Sequence, residues 1–343
     1  MLDDPSAPPD PTGRWERRKP LVALTPEEAR ALLAVAIPGR AITAMETLTT
    51  GLVNTNYRIE LDGAPSPAVL RIYARDADAC ARETRLLRLV ANTIPAPLTL
   101  YADPDATHFR LPWMLLSWID GVPLPEALKS LEPDEAPSLA AALGEAAAAI
   151  GALTFPASGF FAPDLTIAEP LGAPTEMTRD QLQHLLFEGR AGERLGPGLT
   201  GRLWAMVEAH ITELDELAGR VALVHSDFRD SNLLVTRAGG AWRVAGVLDW
   251  EYAFAGPSLF DLGSLLRREA TMLPPGFAAD VIAAYRAHGR YAPPGWRRMT
   301  LLMDLMNLCG FADMPEPRGA MLADVTSLIE ATVTRLEVGE PDA

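Results

Sequence analysis

Lysine is almost absent from this chain of 343 residues, in which only Lys19 and Lys129 occur. Arginine supplies the remaining positive charge, so any phosphate that the protein binds must be met by guanidinium groups or backbone N–H groups. The formal net charge is −15. A charge of this sign and size excludes nucleic acid and anionic membrane surfaces as expected partners. It is compatible with a cationic small molecule.

Cysteine is also scarce, and long apolar runs are missing. Cys80 and Cys309 lie far apart in apparently helical stretches. They predict reduced core thiols in a cytoplasmic protein rather than a disulfide framework. No apolar run reaches the length of a membrane span. The acidic, proline-rich N-terminus lacks the apolar segment of a secretory signal, and residues 1–19 are expected to form a disordered tail.

The polar groups that stand out lie in residues 224–251, between short apolar runs. Asp227 comes first, Asn232 follows five residues later, and Asp249 follows a predicted hairpin that turns at an Ala-Gly-Gly segment. This arrangement predicts that the three side chains meet at one end of a small sheet. An Asp and an Asn in a polar turn can also be local caps that bond their own backbone, and that alternative stays open for either residue alone.

An acid, an amide and a second acid in this order suit phosphoryl transfer from a nucleotide to a hydroxyl group, with the last two holding Mg²⁺. On these residues the chain resembles the aminoglycoside phosphotransferase and choline kinase-like family. The family motif His-Gly-Asp-x-x-x-x-Asn is matched by residues 225–232, with Ser226 in the place of the usual glycine. The family's Ile-Asp-Trp-type segment is matched by Leu-Asp-Trp-Glu at residues 248–251.

The resemblance implies an α+β, two-lobed protein-kinase-like fold. A small N-lobe with an antiparallel sheet is expected over residues 20–117, and a mostly helical C-lobe over residues 118–343. The implied activity is transfer of the γ-phosphoryl group of ATP, or of GTP, to a hydroxyl of a small and possibly cationic molecule. Asp227 would position that hydroxyl and take its proton, and Asn232 and Asp249 would hold Mg²⁺. The sequence does not indicate an oligomeric state.

Arg229 follows Asp227 by two residues. It is placed either to neutralise charge on the transferred group or to face solvent. The resemblance gives His225 a bracing role, and it gives Asp261 a role in supporting the loop rather than in touching substrate.

Residues 42–61 predict two strands, and the loop between them resembles the family's phosphate-binding loop through Gly51, Asn54 and Asn56. An ordinary hairpin turn is the alternative interpretation. On the next strand, Arg71 stands where kinases carry a lysine, and Glu83 on the following helix is its expected partner.

The expected lobe connector contains Ser117 and Ile119, whose backbone groups would bind the nucleobase by resemblance. Residues 156–173 and the C-terminal helices would build the acceptor pocket, with Asp304, Asp313 and Glu316 as candidates for gripping an amine. A glycine-rich match to a dinucleotide fingerprint at residues 196–201 is rejected, because no strand precedes it and a proline interrupts it. The rival interpretation is a weak or inactive pseudokinase that binds a nucleotide or another ligand, and the missing lysine favours it.

Overall fold

The computed structural model describes residues 20–48, 53–74, 77–315 and 319–339. The predicted tail, Gly51 and Glu316 lie outside these residues. Within them the expected two-lobed α+β fold is confirmed: an antiparallel sheet with two helices precedes a mostly helical part. No helix in the described part of the chain is both long and apolar enough to span a membrane.

The N-terminal part begins with a helix whose start is specified by its first residues. The hydroxyl of Thr25 accepts the N–H of Glu28 at 3.1 Å, and the carboxylate of Glu28 accepts the N–H of Thr25 at 2.9 Å. This reciprocal capping satisfies N–H groups that have no partner inside the helix. The helices and strands of this part are α1 Pro26–Ala36, β1 Ile42–Leu48, β2 Thr55–Leu61, β3 Ala68–Ile72, α2 Ala77–Val90, β4 Thr99–Asp103 and β5 Trp113–Ser117.

These five strands form one antiparallel sheet in the order β1-β2-β3-β5-β4. Alternate side chains of β2 are buried, as expected for a strand with one face on the core. Ile59, Leu70 and Trp113 are among the buried residues of this sheet, and they pack with Leu32 of α1. Cys80 of α2 and Cys309, further along the chain, are buried free thiols, as expected.

The C-terminal part is mostly helical and carries two small sheets. Its helices are α3 Leu124–Lys129, α4 Ala136–Ile150, α5 Pro174–Gln183, α6 Ala191–His210, α7 Phe260–Leu266, α8 Glu269–Met272, α9 Phe277–Ala287, α10 Trp296–Asp313 and α11 Gly319–Val338. A π-helical turn spans His184–Glu188, and 3₁₀ turns span Ile211–Leu217 and Asp230–Asn232. Its strands are β6 Val122–Pro123, β7 Gly159–Phe161, β8 Ile167–Pro170, β9 Ala222–Val224, β10 Leu233–Ala238, β11 Ala241–Val247 and β12 Phe254–Gly256.

Residues 156–173 contain β7 and β8. One expectation about this part needs correction. The apolar runs on either side of the 225–232 loop were expected to belong to one small sheet. Instead β9 lies in the sheet β8-β7-β12-β9, whereas β10 lies in β11-β10-β6. The loop therefore connects two sheets, and three-residue strands such as β9 are too short to show their partners by sequence periodicity.

Candidate active site

The β10–β11 hairpin brings Asn232 and Asp249 to the same end of a sheet, as the sequence predicts. Asn232 directly precedes β10, and Asp249 follows β11 by two residues. The pairing continues past the strands, because the N–H of Leu248 donates to the carbonyl oxygen of Asn232 at 2.9 Å. Gly239 and Gly240 form the turn with φ of 63° and 80°. Both values favour glycine, which has no Cβ to clash in the left-handed region.

The amide of Asn232 is bonded directly to Asp227. Nδ2 of Asn232 donates to Oδ2 of Asp227 at 2.7 Å and to the backbone carbonyl oxygen of Asp227 at 2.9 Å. Nε of Arg229 lies 2.9 Å from the other carboxylate oxygen, Oδ1. The carboxylate of Asp227 is therefore held from two sides. Because both amide hydrogens of Asn232 point to Asp227, its Oδ1 is the atom suited to coordinate a cation.

Asp261, in the first turn of α7, supports the backbone just before Asp227. Its carboxylate oxygens accept the N–H of His225 at 2.9 Å and the N–H of Ser226 at 2.8 Å. From α10, Nδ2 of Asn307 donates to the carbonyl oxygen of Ser226 at 3.2 Å. These bonds fix the direction in which the chain enters the 225–232 loop. Sequence reasoning gave Asp261 this kind of supporting role but did not find Asn307, which belongs to no motif.

Ser226 has a left-handed backbone, with φ of 69°. A residue with a Cβ costs about 1–2 kcal/mol in this conformation, whereas glycine adopts it readily. This strain gives a physical reason why glycine is usual at this place in the motif.

We expect Ser226→Gly to raise the free energy of unfolding by about 0.5–1 kcal/mol, because the greater freedom of glycine in the unfolded chain offsets part of the relief. Urea denaturation measures the change. Ser130→Gly is the control, because Ser130 has φ of −115° and gains no such relief. A less stable Ser226→Gly protein would show that contacts of the serine side chain outweigh the strain.

His225 is fully buried, and burial lowers its pKa, which favours the neutral ring. Nδ1 accepts the N–H of Asp227 at 3.2 Å, and Nε2 donates to the carbonyl oxygen of Leu248 at 3.0 Å. The ring also meets the edge of Trp250, with centroids 4.6 Å apart. His225 therefore links the backbone at Asp227 with the backbone just before Asp249.

Burial raises the pKa of Asp261 to about 7, and the charge of Asp227 adds to this effect, whereas the two N–H donors oppose it. The folded protein then keeps a proton that an unfolded aspartate, with a pKa near 3.8, has released. Stability contributed in this way is present at low pH and is lost as the pH rises through the folded value. We expect the free energy of unfolding to fall by about 1 kcal/mol between about pH 6 and about pH 8.

Chemical denaturation across this pH range tests the expectation. Glu251, whose pKa burial also raises to about 7, acts in the same direction. Neutral His225 acts in the opposite direction at pH values below 6.5, the ordinary value for histidine. Asp261→Asn should make the fall in stability above pH 6.5 less steep, because only Glu251 then contributes to it. Stability of the native protein that rises toward pH 8 would contradict the prediction.

One guanidinium and three carboxylates meet between the N-terminal sheet and the β10–β11 hairpin. Arg71 on β3 is 7% exposed and donates to Oδ1 of Asp249. Nε of Arg71 lies 3.5 Å from Oε2 of Glu83, and a terminal nitrogen lies 3.9 Å from Oε1 of Glu251. The hydroxyl of Tyr73 donates to Glu83 at 2.5 Å. The structure thus brings the expected pair Arg71 and Glu83 together and adds Asp249 and Glu251 to it.

These charges shift the pKa values of the three acids in different directions. Burial opposes ionisation of Asp249, but the adjacent guanidinium of Arg71 outweighs it and lowers the pKa of Asp249. Burial raises the pKa of Glu83 against the effect of Arg71. Burial and the charge of Asp249 raise the pKa of Glu251 to about 7. Of these three acids only Asp249 has its ionised form favoured, so its carboxylate is the one suited to a hard cation such as Mg²⁺.

Glu251 also ties the loop between β1 and β2 to the C-terminal part. Nδ2 of Asn54 donates to Oε2 of Glu251 at 3.0 Å, and Oδ1 of Asn54 accepts the N–H of Ala74 at 3.4 Å. From α2, Nε of Arg82 donates to the carbonyl oxygen of Glu251 at 3.3 Å. Sequence reasoning quoted Glu251 within the motif but gave it no role. The sequence does contain a signal for this role, because Glu251 lies only two residues after Asp249 in the motif.

The remaining candidates from the sequence are Asn56, Ser117 and Ile119. Asn56 pairs across β2 and β3 with Arg71, and its Oδ1 is buried without a hydrogen-bond partner in the described part of the chain. The N–H of Ser117 donates to the carbonyl oxygen of Leu98 at 2.9 Å, so this N–H is already engaged within the sheet. Ile119 packs on Gly246 of β11, where an added Cβ would lie 2.7 Å from Cδ1 of Ile119. The lobe connector therefore packs against the β10–β11 hairpin.

Two acids that were candidates for gripping an amine have other partners. Asp304 is 1% exposed and accepts hydrogen bonds from Arg267 at 2.6 Å and 2.8 Å. Asp313 accepts the N–H of Arg190. The expectation for Asp304 is therefore wrong, because the carboxylate is buried behind an arginine. Helical spacing alone does not distinguish an acid that faces solvent from one that faces a buried guanidinium.

Comparison with known families agrees with this geometry. A family model described as "Phosphotransferase enzyme family" matches residues 45–302, which is more than half of the chain. The sequence has no significant match among curated proteins.

Solved structures of aminoglycoside phosphotransferases share the fold. A thermostable mutant of aminoglycoside phosphotransferase APH(4)-Ia, in a ternary complex with AMP-PNP and hygromycin B, aligns with a TM-score of 0.64 at 17% identity, over 91% of this chain and 100% of that one. A GDP and kanamycin complex of an APH(2") enzyme aligns with a TM-score of 0.69 at 16% identity, over 88% and 97% of the two chains. The GDP complex of wild-type aminoglycoside 2'-phosphotransferase-IIIa aligns with a TM-score of 0.68 at 15% identity, over 91% and 99%.

Proposed function

The chain belongs to the phosphotransferase enzyme family, and we propose that it transfers the γ-phosphoryl group of ATP, or of GTP, to a hydroxyl group of a small molecule. Its family is one of small-molecule kinases. The nucleotide, the Mg²⁺ ion and the residue roles given below are the proposal. The observation that carries it is the bond from the Asn232 amide to the Asp227 carboxylate, at the hairpin end that also holds Asp249.

The nucleotide assignment is supported from two sides. The similar structures described above were solved with AMP-PNP or GDP bound. In this chain Arg71 is held between Glu83 and Asp249, and a guanidinium binds phosphate oxygens through two parallel N–H groups. Arg71 therefore serves in place of a lysine at the inner phosphates.

In the transfer step, a bond forms between the acceptor oxygen and the γ-phosphorus, and the bond from that phosphorus to the β–γ bridging oxygen breaks. The nucleoside diphosphate leaves with the electron pair of that bond. Asp227 orients the acceptor hydroxyl and receives its proton late, because a loose transition state needs little base strength. Arg229, which forms an ion pair with Asp227, holds the carboxylate in position beside the reacting oxygen.

Bound together with the nucleotide, Mg²⁺ would neutralise charge on the phosphate oxygens. Asn232 would hold it through Oδ1, since its Nδ2 is bonded to Asp227. Asp249 would hold it through its carboxylate. The lowered pKa of Asp249, which keeps its carboxylate ionised, fits this role.

The rival function is that of a pseudokinase, which would use the same cleft to hold a ligand without turnover. Its support is the arginine in place of lysine, together with the contact between Arg71 and Asp249. The presence of Asp227, Asn232 and Asp249 together favours an enzyme, because the three as a set suit phosphoryl transfer with Mg²⁺.

A coupled assay that detects release of the nucleoside diphosphate tests the proposal. It is run with Mg²⁺ and a panel of hydroxyl compounds. The expected result is slow hydrolysis without acceptor and faster release with a suitable one, both lost in Asp227→Asn. Nucleotide binding without any Mg²⁺-dependent release, across the panel and in water alone, would favour the pseudokinase.

A further inference from the structure

The segment that carries Asp249 contacts the N-terminal part of the fold at three successive residues. The carboxylate of Asp249 accepts from Arg71 on β3. The N–H of Trp250 donates to Oε1 of Glu83 on α2 at 3.3 Å. The third residue, Glu251, is bonded through both its backbone and its side chain. The two parts of the fold are therefore held together at the candidate Mg²⁺ ligand itself.

Asn54 makes the side-chain contact with Glu251. It directly precedes β2 and is 5% exposed. Its Nδ2 donates to Oε2 of Glu251 at 3.0 Å, and its Oδ1 accepts the N–H of Ala74, two residues after β3, at 3.4 Å. The side chain thus joins the start of β2, the end of β3 and residue 251. Because β3 carries Arg71, Asn54 links the strand of Arg71 with the segment of Asp249.

The turn after Asp249 is fixed so that Glu251 reaches Asn54. Asp249 has a left-handed backbone with φ of 69°, a conformation that persists in a residue with a Cβ only where its surroundings hold it. Trp250 is fully buried, and its indole N–H donates to a backbone carbonyl oxygen of β11 at 2.9 Å. The carbonyl oxygen of Glu251 accepts from Nε of Arg82 at 3.3 Å.

Both carboxylate oxygens of Glu251 lie beside groups of the N-terminal part. Oε2 accepts from Asn54, and Oε1 lies 3.9 Å from a terminal nitrogen of Arg71. The side chain of Glu251 is 11% exposed. The nearer carboxylates around Arg71 are those of Asp249 and Glu83. The main contact of the Glu251 side chain is therefore the hydrogen bond with Asn54.

Resting on the proposed function, we propose that Asn54 and Glu251 are a positioning pair for phosphoryl transfer. Their hydrogen bond holds Arg71 and Asp249 in the relative position from which the guanidinium and the metal reach the phosphates of one nucleotide. Glu251 acts through Asn54 and not as a metal ligand. Asn54 acts through the strand of Arg71, which replaces the expectation from the family resemblance that it contacts the phosphates.

The physical reason is that phosphoryl transfer depends mainly on position and charge, since the protein has little covalent chemistry to perform. A misplacement of about 1 Å can cost about 100-fold in rate. Arg71 belongs to the N-terminal sheet and Asp249 to the C-terminal part, so their spacing depends on the contacts between the two parts. Asn54 is the residue that bonds to both the end of β3 and Glu251.

An exchange of donor and acceptor tests the pair. Asn54→Asp places a second carboxylate against Glu251 and should lower kcat/KM for the nucleotide by about 10–100-fold, the usual weight of a contact one step removed from a metal. In the double variant Asn54→Asp/Glu251→Gln, the amide introduced at position 251 can donate to the carboxylate introduced at position 54. This variant should recover at least about tenfold of the loss. Release of the nucleoside diphosphate with Mg²⁺ measures each value, with the best acceptor or in water.

Asn54→Ala separates the hydrogen bond from the added charge. It removes the donor without changing the net charge and should lower kcat/KM by about tenfold or more. Adding Glu251→Gln to Asn54→Ala restores no hydrogen bond and should give no recovery. Asn92→Asp, at an exposed asparagine in the turn after α2, is the matched control for added charge and should keep the native value. Equal recovery by Glu251→Gln in both backgrounds would show that charge and not the hydrogen bond sets the rate, and would overturn the inference.

Two further measurements address the other roles that Glu251 could have. The Mg²⁺ concentration for half-maximal rate should stay within about threefold of native in Glu251→Gln, because Asp249 and Asn232 supply the ligands. A rise of about tenfold or more would make Glu251 a metal ligand and overturn the inference. Urea denaturation gives the stability of each variant. An Asn54→Ala protein that is less stable but keeps native kcat/KM would show a contact for folding alone, which also overturns the inference.

The same assays distinguish this inference from the function on which it rests. If the native protein releases nucleoside diphosphate and Asn54→Asp does so equally fast, the positioning role is wrong and the kinase function stands. If the native protein shows no Mg²⁺-dependent release, the proposed function fails and this inference fails with it.

Discussion

Asp227→Asn is expected to lower turnover by about 10²–10⁴-fold while nucleotide binding persists. The carboxylate accepts from Asn232 on one oxygen and faces Arg229 on the other. An asparagine at this place directs an NH₂ group toward one of these donors, so it loses both a proton acceptor and one of its two fixing contacts. The nucleotide-side residues, grouped around Arg71, do not depend on Asp227. The effect should therefore appear in kcat and not in the dissociation constant of the nucleotide.

Single-turnover kinetics with the best acceptor, together with a nucleotide titration, check this expectation. Asp105→Asn is the matched control, since Asp105 is exposed in a turn before β5 and touches neither side of the cleft. Native turnover in Asp227→Asn would remove Asp227 from its assigned role. Equal loss of nucleotide binding and turnover would instead indicate that the substitution disturbs the whole 225–232 loop.

The hairpin and its polar ends were predictable from the sequence because several local signals agree. Alternating apolar residues, a Gly-Gly turn and the spacing from Asn232 to Asp249 all favour one register, and β10 and β11 adopt it. The helix start at Thr25 was predictable for the same reason, since the capping residues are three apart in sequence. Structure that depends on residues close together in sequence can be predicted before the fold is known.

Contacts between residues far apart in sequence could not be predicted in the same way. Asn54 and Glu251 are separated by 197 positions, and Arg71 and Asp249 by 178. Nothing in their neighbourhoods shows that one guanidinium would meet three acids. The buried pair of Asp304 with Arg267 was missed for the same reason: helical periodicity gives a face of the helix but not the side chain opposite that face.

The presence of arginine rather than lysine at position 71 is explained by these contacts. Lysine presents one compact ammonium group, whereas the planar guanidinium presents donors in several directions. Arg71 uses this geometry to reach Asp249 with a terminal nitrogen while Nε faces Glu83. The departure from the kinase pattern is therefore compatible with an ordered site.

The contact between Arg71 and Asp249 leads to the second large effect. Asp249→Ala is expected to weaken Mg²⁺-dependent nucleotide binding by at least about 100-fold, because loss of even an outer contact to a metal typically costs 10–100-fold. Arg71 keeps Glu83 and Glu251 as partners, so it is not left as an unpaired buried charge, and the protein should remain folded. Removing the negative charge of Asp249 also removes one cause of the raised pKa of Glu251.

Titration of a fluorescent nucleotide with Mg²⁺ and with chelator separates the two parts of this expectation. The native protein should bind more tightly with Mg²⁺, and Asp249→Ala should bind equally weakly in both conditions, whereas Asp105→Ala should behave as the native protein does. A variant that keeps the Mg²⁺ response would show that Asp249 serves Arg71 and not the metal. In that case Asn232 and Glu251 would be the remaining oxygen donors to test, because Glu251 is the carboxylate that the structure places beside Asp249 and next to the loop containing Asn54.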